Sequence, residues 1–293
     1  RSPSRGLGDV YKRQVYNPAT RSVFAQVPDA SQKQLDETVQ SAHIALKTWG
    51  TTAANDRQAA LETYADLLEA HADAFMSLLT REQGKPRAGA EWEVLGSVAW
   101  LRAVASQRLP DEVVEDTDDR RVVTRFTPVG VVGAIVPWNF PILLAIWKIA
   151  PALMSGSTMI LKPSPYTPLC NLKLVELAQQ AFPPGVISAL SGGDDLGVWM
   201  TTHPDINKIA FTGSTETGRH VMKSASATIK RVTLELGGND PAIVLPDVDA
   251  KALAPQLFWA AFQNNAQFCN STKRLYIHED VYDEVRDALA DFI

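Results

Sequence analysis

The N-terminal third of the chain carries apolar residues at helical spacing. Residues 15–27 first predict a short hairpin, with turn-forming residues at its centre. Ser31 then has the character of a helix N-cap, and Leu35, Val39 and Ala42 recur behind it on one face. The pattern therefore predicts a helix that buries this face.

A longer apolar stripe follows and predicts a second helix. Gly84 and Pro86 close this stripe, as expected at a helix C-terminus. The residues of the stripe are Leu61, Tyr64, Leu68, Phe75 and Leu79. We expect a single helix here, and a third helix over residues 91–107.

From Arg121 onward, short β-branched runs alternate with helical runs. The strand-like runs cover residues 129–137, 158–163, 186–190, 208–213 and 232–236, and the helical runs cover 141–154, 169–182, 196–203 and 217–225. Such alternation predicts βαβ units around a parallel sheet with doubly buried strands. The predicted fold class is α/β, with a Rossmann-type parallel sheet flanked by helices. Ligands of such sheets bind beyond the carboxyl ends of the strands.

Three parts are expected along the chain. Residues 1–14 begin with Arg1, contain four basic residues and show no apolar period, so we expect a non-native leader. Residues 15–234 would hold the N-terminal helices and the dinucleotide-binding domain. Residues 235–293 would start a second α/β catalytic domain, with a strand over 274–278. The helical stripe over residues 281–293 stops without a capping signal, so we expect this domain to be incomplete.

Composition and charge favour a protein that acts on small molecules. The 293 residues are 45% apolar and 21% charged, close to the average for globular proteins, and the net charge is −5. Because there is no long basic block, we expect neither nucleic acid nor a membrane surface as a partner. Residues 142–160 are apolar but interrupted by Lys148, Pro151 and Gly156, which predicts a buried helix and strand instead of a membrane span.

The two cysteines are too few for a disulfide framework. Cys170 and Cys269 are not combined with histidines at zinc-site spacing, so we expect no metal. A reducing, cytoplasmic location fits best. We interpret Cys170, on the apolar face of a helix, as buried and inert.

Candidate ligand-binding residues follow the predicted strands directly. Pro137 and Pro141 fix the backbone of a turn that contains Trp138 and Asn139. Asn139 offers an amide donor there. The alternative is a rigid turn whose asparagine caps the next helix.

Two more strands end in residues that could contact a nucleotide. Lys162 places a cation where ribose hydroxyls or phosphates would lie, unless it is an isolated surface lysine. Gly213 permits close approach of a ligand, and Ser214 with the free N–H groups of a helix start can hold a phosphate oxygen. A plain serine N-cap with a glycine turn is the alternative.

Glu235 and Cys269 have the chemistry of a general base and a nucleophile. Glu235 lies between Leu234 and Leu236, so it either points to solvent or occupies a semi-buried site where desolvation raises its pKa. Cys269 follows a helical run. Considered alone, a buried and inert thiol is the commoner interpretation.

Together, the order and spacing of these segments resemble the aldehyde dehydrogenase superfamily, including the turn over residues 82–86. The resemblance implies NAD(P)-dependent oxidation of a small-molecule aldehyde to a carboxylic acid, through a cysteine thiohemiacetal and a thioester. It implies Cys269 as the nucleophile, Asn139 as an oxyanion donor and Glu235 as the general base. Lys148 matches a lysine that the family often has near the site.

The resemblance also implies a dinucleotide site with NAD or NADP as the cofactor. The implied contacts are Val136, Pro137, Trp138, Lys162, Ser164, Gly193, Gly197, Gly213, Ser214 and Leu236. Many NAD-preferring relatives have a glutamate three residues after the lysine, where this chain has Pro165. The resemblance therefore leaves both cofactors open.

A second departure from the family is Ala266, where glycine is usual. If its φ is positive, alanine costs about 1 kcal/mol and could tilt the loop that aims Cys269. Two other functions stay open: an acylating dehydrogenase that passes the thioester to coenzyme A, which Glu235 argues against, and a non-catalytic dinucleotide-fold protein. For a longer parent protein the resemblance implies a homodimer or homotetramer, and we expect little activity from this length alone.

Overall fold

A computed structural model describes residues 12–293, which form two compact units. The first contains the described residues up to Thr212 together with Glu216–Leu234, and the second contains Gly213–Thr215 and Glu235–Ile293. Most of the expected leader, residues 1–14, lies outside the described residues. Residues 12–14, however, form the start of a strand.

The first unit begins with a hairpin and a helical segment and continues as alternating strands and helices. Its helices are α1 (Gln32–Trp49), α2 (Ala54–Ala70), α3 (Ala72–Gln83), α4 (Arg87–Ala105), α5 (Pro141–Met154), α6 (Pro168–Ala178), α7 (Asp194–Thr202) and α8 (Thr215–Ser226). Its strands are β1 (Lys12–Asn17), β2 (Ser22–Pro28), β3 (Glu112–Asp116), β4 (Arg121–Thr124), β5 (Val131–Ile135), β6 (Thr158–Lys162), β7 (Ile187–Ala189), β8 (Lys208–Thr212) and β9 (Arg231–Glu235). β1 and β2 form the predicted hairpin.

The main sheet has five strands in the order β7-β6-β5-β8-β9. β5 pairs in parallel with β6 and with β8, and β6 pairs in parallel with β7. After β5 the chain adds β6 and β7 on one side of this strand and then β8 and β9 on the other side. The strand order therefore reverses between β5 and β8. Such sheets bind ligands at this reversal. The Rossmann-type prediction is confirmed.

Burial differs between the centre and the edge of the sheet. Every residue of β6 and the first four residues of β5 are buried, as predicted for doubly covered strands. β9 instead alternates between half-buried and exposed residues, because it lies at the sheet edge. The prediction of a doubly buried strand over residues 232–236 is therefore wrong.

Helix α1 starts at the predicted cap. The Ser31 hydroxyl accepts a hydrogen bond from Gln34 N at 3.3 Å, while the Gln34 side chain accepts one from Ser31 N at 2.9 Å. This reciprocal arrangement satisfies two backbone N–H groups at the helix start. Leu35, Val39 and Ala42 are buried as predicted.

The single helix predicted from the second stripe is in fact two helices. α2 ends at Ala70 and α3 begins at Ala72, because His71 (φ −104°, ψ 11°) leaves the helical conformation. The apolar stripe stays buried on both sides of the break. Since its spacing is the same before and after His71, periodicity could not reveal the interruption. α3 ends as predicted at Gly84, whose φ of 91° is left-handed.

Two further differences concern the segment before β5. α4 covers Arg87–Ala105 in place of the predicted residues 91–107. β3 and β4 form an antiparallel hairpin that we did not predict. Both strands are exposed almost throughout, so their sequence lacks the alternation that marks a half-buried strand.

Helices α5 and α6 follow β5 and β6, and both begin with a proline, Pro141 and Pro168. Proline suits the first helical position because no N–H is required there. In α6 the next two amides, Leu169 N and Cys170 N, donate to the buried carboxylate of Glu82 at the end of α3. Burial raises the pKa of Glu82 to about 7, and the two amide bonds act in the opposite direction.

The second unit is a smaller α/β structure. Its strands are β10 (Asp240–Val244) and β11 (Thr272–Ile277), which pair in parallel, and its helices are α9 (Ala250–Phe262) and α10 (Tyr282–Phe292). Asp249 caps α9 by accepting from Lys251 N at 3.0 Å and Ala252 N at 3.2 Å. A small apolar core is formed by Val244, Ala250, Leu257, Val281 and Val285. The strand predicted over 274–278 and the helix predicted over 281–293 are present with shifted bounds.

Residues 142–160 form most of α5 and all of β6, the buried helix and strand that we predicted. Across residues 12–293, each helix is too short or too polar to cross a membrane. In the same residues, groups of three or more His, Cys, Asp or Glu able to hold a metal ion are absent.

We predict that Glu82 makes stability depend on pH. In the folded protein the pKa of the Glu82 carboxyl is about 7, whereas its ordinary pKa is 4.5. The stabilising contribution of the carboxyl is therefore complete below pH 4.5 and is lost as the pH rises through 7, a change of roughly 3 kcal/mol. Urea unfolding of the wild type and of Glu82→Gln should show their difference in unfolding free energy changing by that amount. An exposed carboxylate on α2, replaced in Glu62→Gln, is the control, and a pH-independent difference for Glu82→Gln would contradict the prediction.

Candidate functional site

The carboxyl ends of β5, β6 and β8 lie side by side. Ile135 is in register with Lys162 on one side and with Phe211 on the other. Val136, directly after β5, donates its N–H to the Lys162 carbonyl at 3.1 Å. The candidate residues that follow β5 and β6 are therefore neighbours at the edge where α/β sheets bind ligands.

A buried ion pair holds the turn after β5. Lys85 donates to the carboxylate of Glu93, and their side chains are 1% and 0% exposed. Lys85 Nζ also donates to the Asn139 carbonyl at 2.9 Å. The other Glu93 oxygen accepts from Ile142 N at 2.8 Å and Leu143 N at 3.2 Å. The interpretation of Asn139 as the cap of α5 is therefore wrong, because Glu93 is that cap.

Burial is the largest influence on the pKa of both members of this pair. It raises the pKa of Glu93 and lowers that of Lys85, and the charge of each partner acts in the opposite direction. The ring of Phe140 lies 4.0 Å from Lys85 Nζ and stabilises the ammonium through a cation–π contact. A carboxylate, a carbonyl and a ring thus replace the water that the lysine loses.

The other residues of this region differ in exposure. Trp138 is exposed, whereas Pro137 and Asn139 are half-buried. Lys148, two turns into α5, donates to Thr212 Oγ1 at 2.7 Å. Because Thr212 is the last residue of β8, this lysine is directed to the sheet edge and not into solvent.

Lys162 is 5% exposed, so the isolated surface lysine is excluded. A side-chain carbon placed on Gly197 would lie 3.8 Å from Lys162 Cε, an ordinary contact distance, so this glycine lies next to the lysine. Burial lowers the pKa of Lys162 to about 8, and the carboxylate of Asp194 opposes the shift. Gly193 immediately precedes α7 as its N-cap. A buried cation beside Gly197 suits a ligand rich in phosphate or hydroxyl oxygens.

The loop between β6 and α6 contains Ser164, which is buried. Its hydroxyl accepts a hydrogen bond from Tyr166 N at 3.3 Å and so fixes a tight turn around Pro165. Glu82 holds the end of the same loop through the first amides of α6. Pro165 thus lies in a loop that is held at both of its ends.

The second unit contains the other predicted residues. Gly213 N donates to the Glu235 carbonyl at 3.0 Å. The side chain of Glu235 is exposed, which agrees with the solvent-facing alternative and not with a semi-buried site. Ser214 is also exposed, and Leu236 is half-buried.

Cys269 lies in a loop with an unusual backbone. The thiol is exposed, whereas Cys170 is buried as predicted. Between α9 and Cys269, three consecutive residues are left-handed: Asn264 with φ 49°, Asn265 with φ 55° and Ala266 with φ 60°. Asparagine tolerates this conformation, but alanine does not. The condition attached to Ala266, a positive φ, is therefore met.

The backbone of Cys269 is held on both sides of the loop. Gly238 N donates to the Cys269 carbonyl at 3.1 Å, and a side-chain carbon on Gly238 would lie 3.0 Å from that oxygen. Lys273 Nζ donates to the same carbonyl at 3.4 Å. The buried hydroxyl of Ser271 donates to Phe268 O at 3.2 Å. The peptide is thus fixed while the thiol remains accessible.

Sequence reasoning missed Glu82, Lys85, Glu93 and Lys273. A signal existed for the two glutamates, because each occupies the buried face of a helix, with Glu82 three residues after Leu79. A charge on such a face is rarely buried without a partner. Lys85 and Lys273 lie outside helices and carry no comparable pattern.

Comparison with known proteins identifies the family. The model of the aldehyde dehydrogenase family matches residues 8–293, and the chain belongs to this family. A relative from Gibberella fujikuroi, named putative aldehyde dehydrogenase FUS7, is 46% identical over 275 residues, which cover 94% of this chain and 59% of that protein.

Solved structures agree with this assignment. The crystal structure of an E. coli NADP dependent enzyme has a TM-score of 0.94 and 35% identity, with coverage of 96% of this chain and 60% of that one. The NAD+ complex of an aldehyde dehydrogenase from Bacillus cereus has a TM-score of 0.93 and 35% identity, with coverage of 96% and 59%. The chain therefore spans about three-fifths of the length of these relatives.

We predict that Ala266→Gly stabilises the protein by about 1 kcal/mol, because glycine removes the penalty of a left-handed Cβ. Urea unfolding of the two proteins measures the change. Ala252→Gly, at an exposed helical position of α9, is the matched control and should destabilise by about 1 kcal/mol. Equal loss of stability in both variants would show that position 266 is not strained.

Proposed function

We propose that the protein carrying this chain oxidises an aldehyde to a carboxylic acid, with hydride transfer to NAD or NADP. The observation that supports this most directly is the exposed thiol of Cys269 in a member of the aldehyde dehydrogenase family. A thiolate is the most nucleophilic side chain available for attack on a carbonyl carbon. Cys170 is buried and unsuited to this role.

In this proposal the Cys269 thiolate forms a bond to the aldehyde carbon and generates a thiohemiacetal alkoxide. The side-chain amide of Asn139 and the backbone N–H of Cys269 donate to that oxygen, and such donors each contribute roughly 3–4 kcal/mol in comparable sites. Loss of hydride from the carbon then restores the carbonyl and leaves a thioester. Lys148, whose ammonium is directed to the edge of β8, is an accessory cation.

The described residues fit a dinucleotide. Lys162 offers a buried ammonium to ribose hydroxyls or phosphates, and the exposed ring of Trp138 offers an apolar surface. The proposed contacts are Val136, Pro137, Trp138, Lys162, Ser164, Gly193, Gly197, Gly213, Ser214 and Leu236. When bound, the nicotinamide accepts the hydride. Because Pro165 has no carboxylate to repel a 2′-phosphate, we propose NAD or NADP as the cofactor.

Glu235 is the proposed general base for the second half of the reaction. Its exposed carboxylate can take a proton from a water molecule, which then attacks the thioester carbon and releases the carboxylic acid and the Cys269 thiolate. A base at this position favours water over coenzyme A as the acceptor of the acyl group. We further propose a cytoplasmic location and assembly of the parent protein as a homodimer or homotetramer.

The test is an assay of the intact protein with a panel of aldehydes, NAD or NADP, and coenzyme A present or absent. Cys269→Ser should lower kcat by at least about a thousandfold, since the nucleophile is lost. Glu235→Gln should release one equivalent of reduced cofactor and then stall as an acyl-enzyme that mass spectrometry detects. Cys170→Ala, which removes the buried thiol, is the control for Cys269→Ser.

Two results would contradict the proposal. Strict dependence of turnover on coenzyme A would establish the acylating alternative. Dinucleotide binding without turnover of any aldehyde, together with a Cys269 that resists thiol reagents at neutral pH, would establish a non-catalytic protein.

We also predict that nucleotide affinity depends on the charge of Lys162. Its pKa of about 8 means that the ammonium is present below this pH and is lost above it. The Kd for NAD should therefore rise between pH 7 and pH 9.5, by about tenfold or more for a charge-assisted contact. The charged groups that act on it are Asp194, Arg13 and Asp29. Calorimetry on the wild type and on Lys162→Met measures the Kd for NAD at each pH. A Kd that changes with pH as much in the variant as in the wild type would contradict the prediction.

A further inference from the structure

We infer that Lys85 and Glu93 are positioning residues that orient Asn139 for catalysis. This inference rests on the proposed function, in which the Asn139 amide stabilises the alkoxide. Lys85 is held between the left-handed Gly84 that ends α3 and the Pro86 that precedes α4. The backbone of Lys85 is thus constrained on both sides, and its buried ammonium is directed to Glu93 and the Asn139 carbonyl.

The contacts of the pair converge on the peptide that follows Asn139. Lys85 Nζ donates to the Asn139 carbonyl at 2.9 Å and to the Glu93 carboxylate. Glu93 in turn accepts from the first amides of α5, Ile142 N and Leu143 N. The carbonyl of Asn139 and the first free amide of α5, three residues later, are therefore bound to one ion pair. A fixed carbonyl fixes the plane of that peptide, and with it the direction in which the Asn139 side chain leaves the backbone.

Helix α6 shows that capping alone does not require the lysine. Glu82 caps α6 through Leu169 N and Cys170 N in the same way that Glu93 caps α5. Among the ion pairs of residues 12–293, Glu82 takes part in none, whereas Glu93 is paired with Lys85. Burying an ammonium carries a desolvation cost that a cap does not demand. The function that distinguishes Lys85 is its hold on the Asn139 carbonyl.

The two turns also differ in the chemistry that follows them. The loop held by Glu82 leads from Lys162 to α6 and carries Ser164, residues proposed to bind the cofactor. The turn held by Lys85 and Glu93 carries the proposed oxyanion donor, for which small displacements matter most, since a misplacement of about 1 Å can cost on the order of a hundredfold in rate. Proposed cofactor contacts, Pro137 and Trp138, precede Asn139 in this turn, but the bond from Lys85 is made to Asn139 itself. We therefore expect Lys85 to affect the chemical step more than cofactor binding.

A double-mutant cycle on the intact enzyme tests the inference. Lys85→Met should lower the single-turnover rate of hydride transfer by about 10- to 100-fold, with KM for NAD changed less than about twofold. In an Asn139→Ala background, the same Lys85→Met change should have no further effect, because the group that it positions is gone. An equal loss of the hydride-transfer rate in the wild-type and Asn139→Ala backgrounds would overturn the inference and assign Lys85 to stability alone.

Two more variants keep the test decisive if Lys85→Met does not fold. Glu93→Gln preserves the acceptor for Ile142 N and removes the charge that holds Lys85, and its effect should likewise vanish in Asn139→Ala. Tyr64→Phe, which deletes the buried hydrogen bond to Leu174 O, matches the loss of stability without touching the turn and should leave the rate unchanged. If Asn139→Ala alone leaves the rate unchanged, the oxyanion role fails, a result distinct from additivity in the cycle.

Discussion

The first backbone N–H groups of α5 and α6 have no acceptor within their own helices. The geometry of the sheet edge depends on the side chains that accept from them. Both helices begin with a proline after the loop that follows a strand, and their first free amides donate to buried carboxylates instead of water. Buried amides without acceptors would each cost about 1–3 kcal/mol. Glu82 and Glu93 supply the acceptors from α3 and α4, so the geometry of the edge is set by helices outside the sheet.

These carboxylates explain the charges found in the interior of the first unit. A buried carboxylate is unfavourable by several kcal/mol unless hydrogen bonds or a cation compensate it. Glu82 is compensated by amides alone, and its pKa rises to about 7. Glu93 has two amides and Lys85, and the lysine lowers its pKa against the effect of burial. The same helical layer therefore holds one buried carboxyl group whose pKa is about 7 and one that forms an ion pair with Lys85.

The helices and strands that could be predicted from sequence are those whose apolar pattern and end signals all lie within the element itself. The bounds of α5 were correct because Pro141 starts an apolar run that ends before Gly156. The order of strands and helices was sufficient to predict a Rossmann-type sheet. The break at His71 was not predicted because the spacing of the apolar residues is the same on both sides of it. The β3–β4 hairpin was not predicted because it has no buried face. The contacts of Lys85 join positions 54 residues apart, which no local pattern records.

The loop of Cys269 shows how strain and exposure can coexist. Three successive left-handed residues redirect the chain after α9, and this conformation is unfavourable at Ala266, whose side chain has a Cβ and no polar group. Such a segment persists only where neighbouring bonds determine it. Gly238 N and Lys273 Nζ both donate to the Cys269 carbonyl, and Ser271 closes the loop from the buried side. Because these bonds hold the backbone alone, the side chain of Cys269 is exposed at the surface of the second unit, and the role proposed for it requires this exposure.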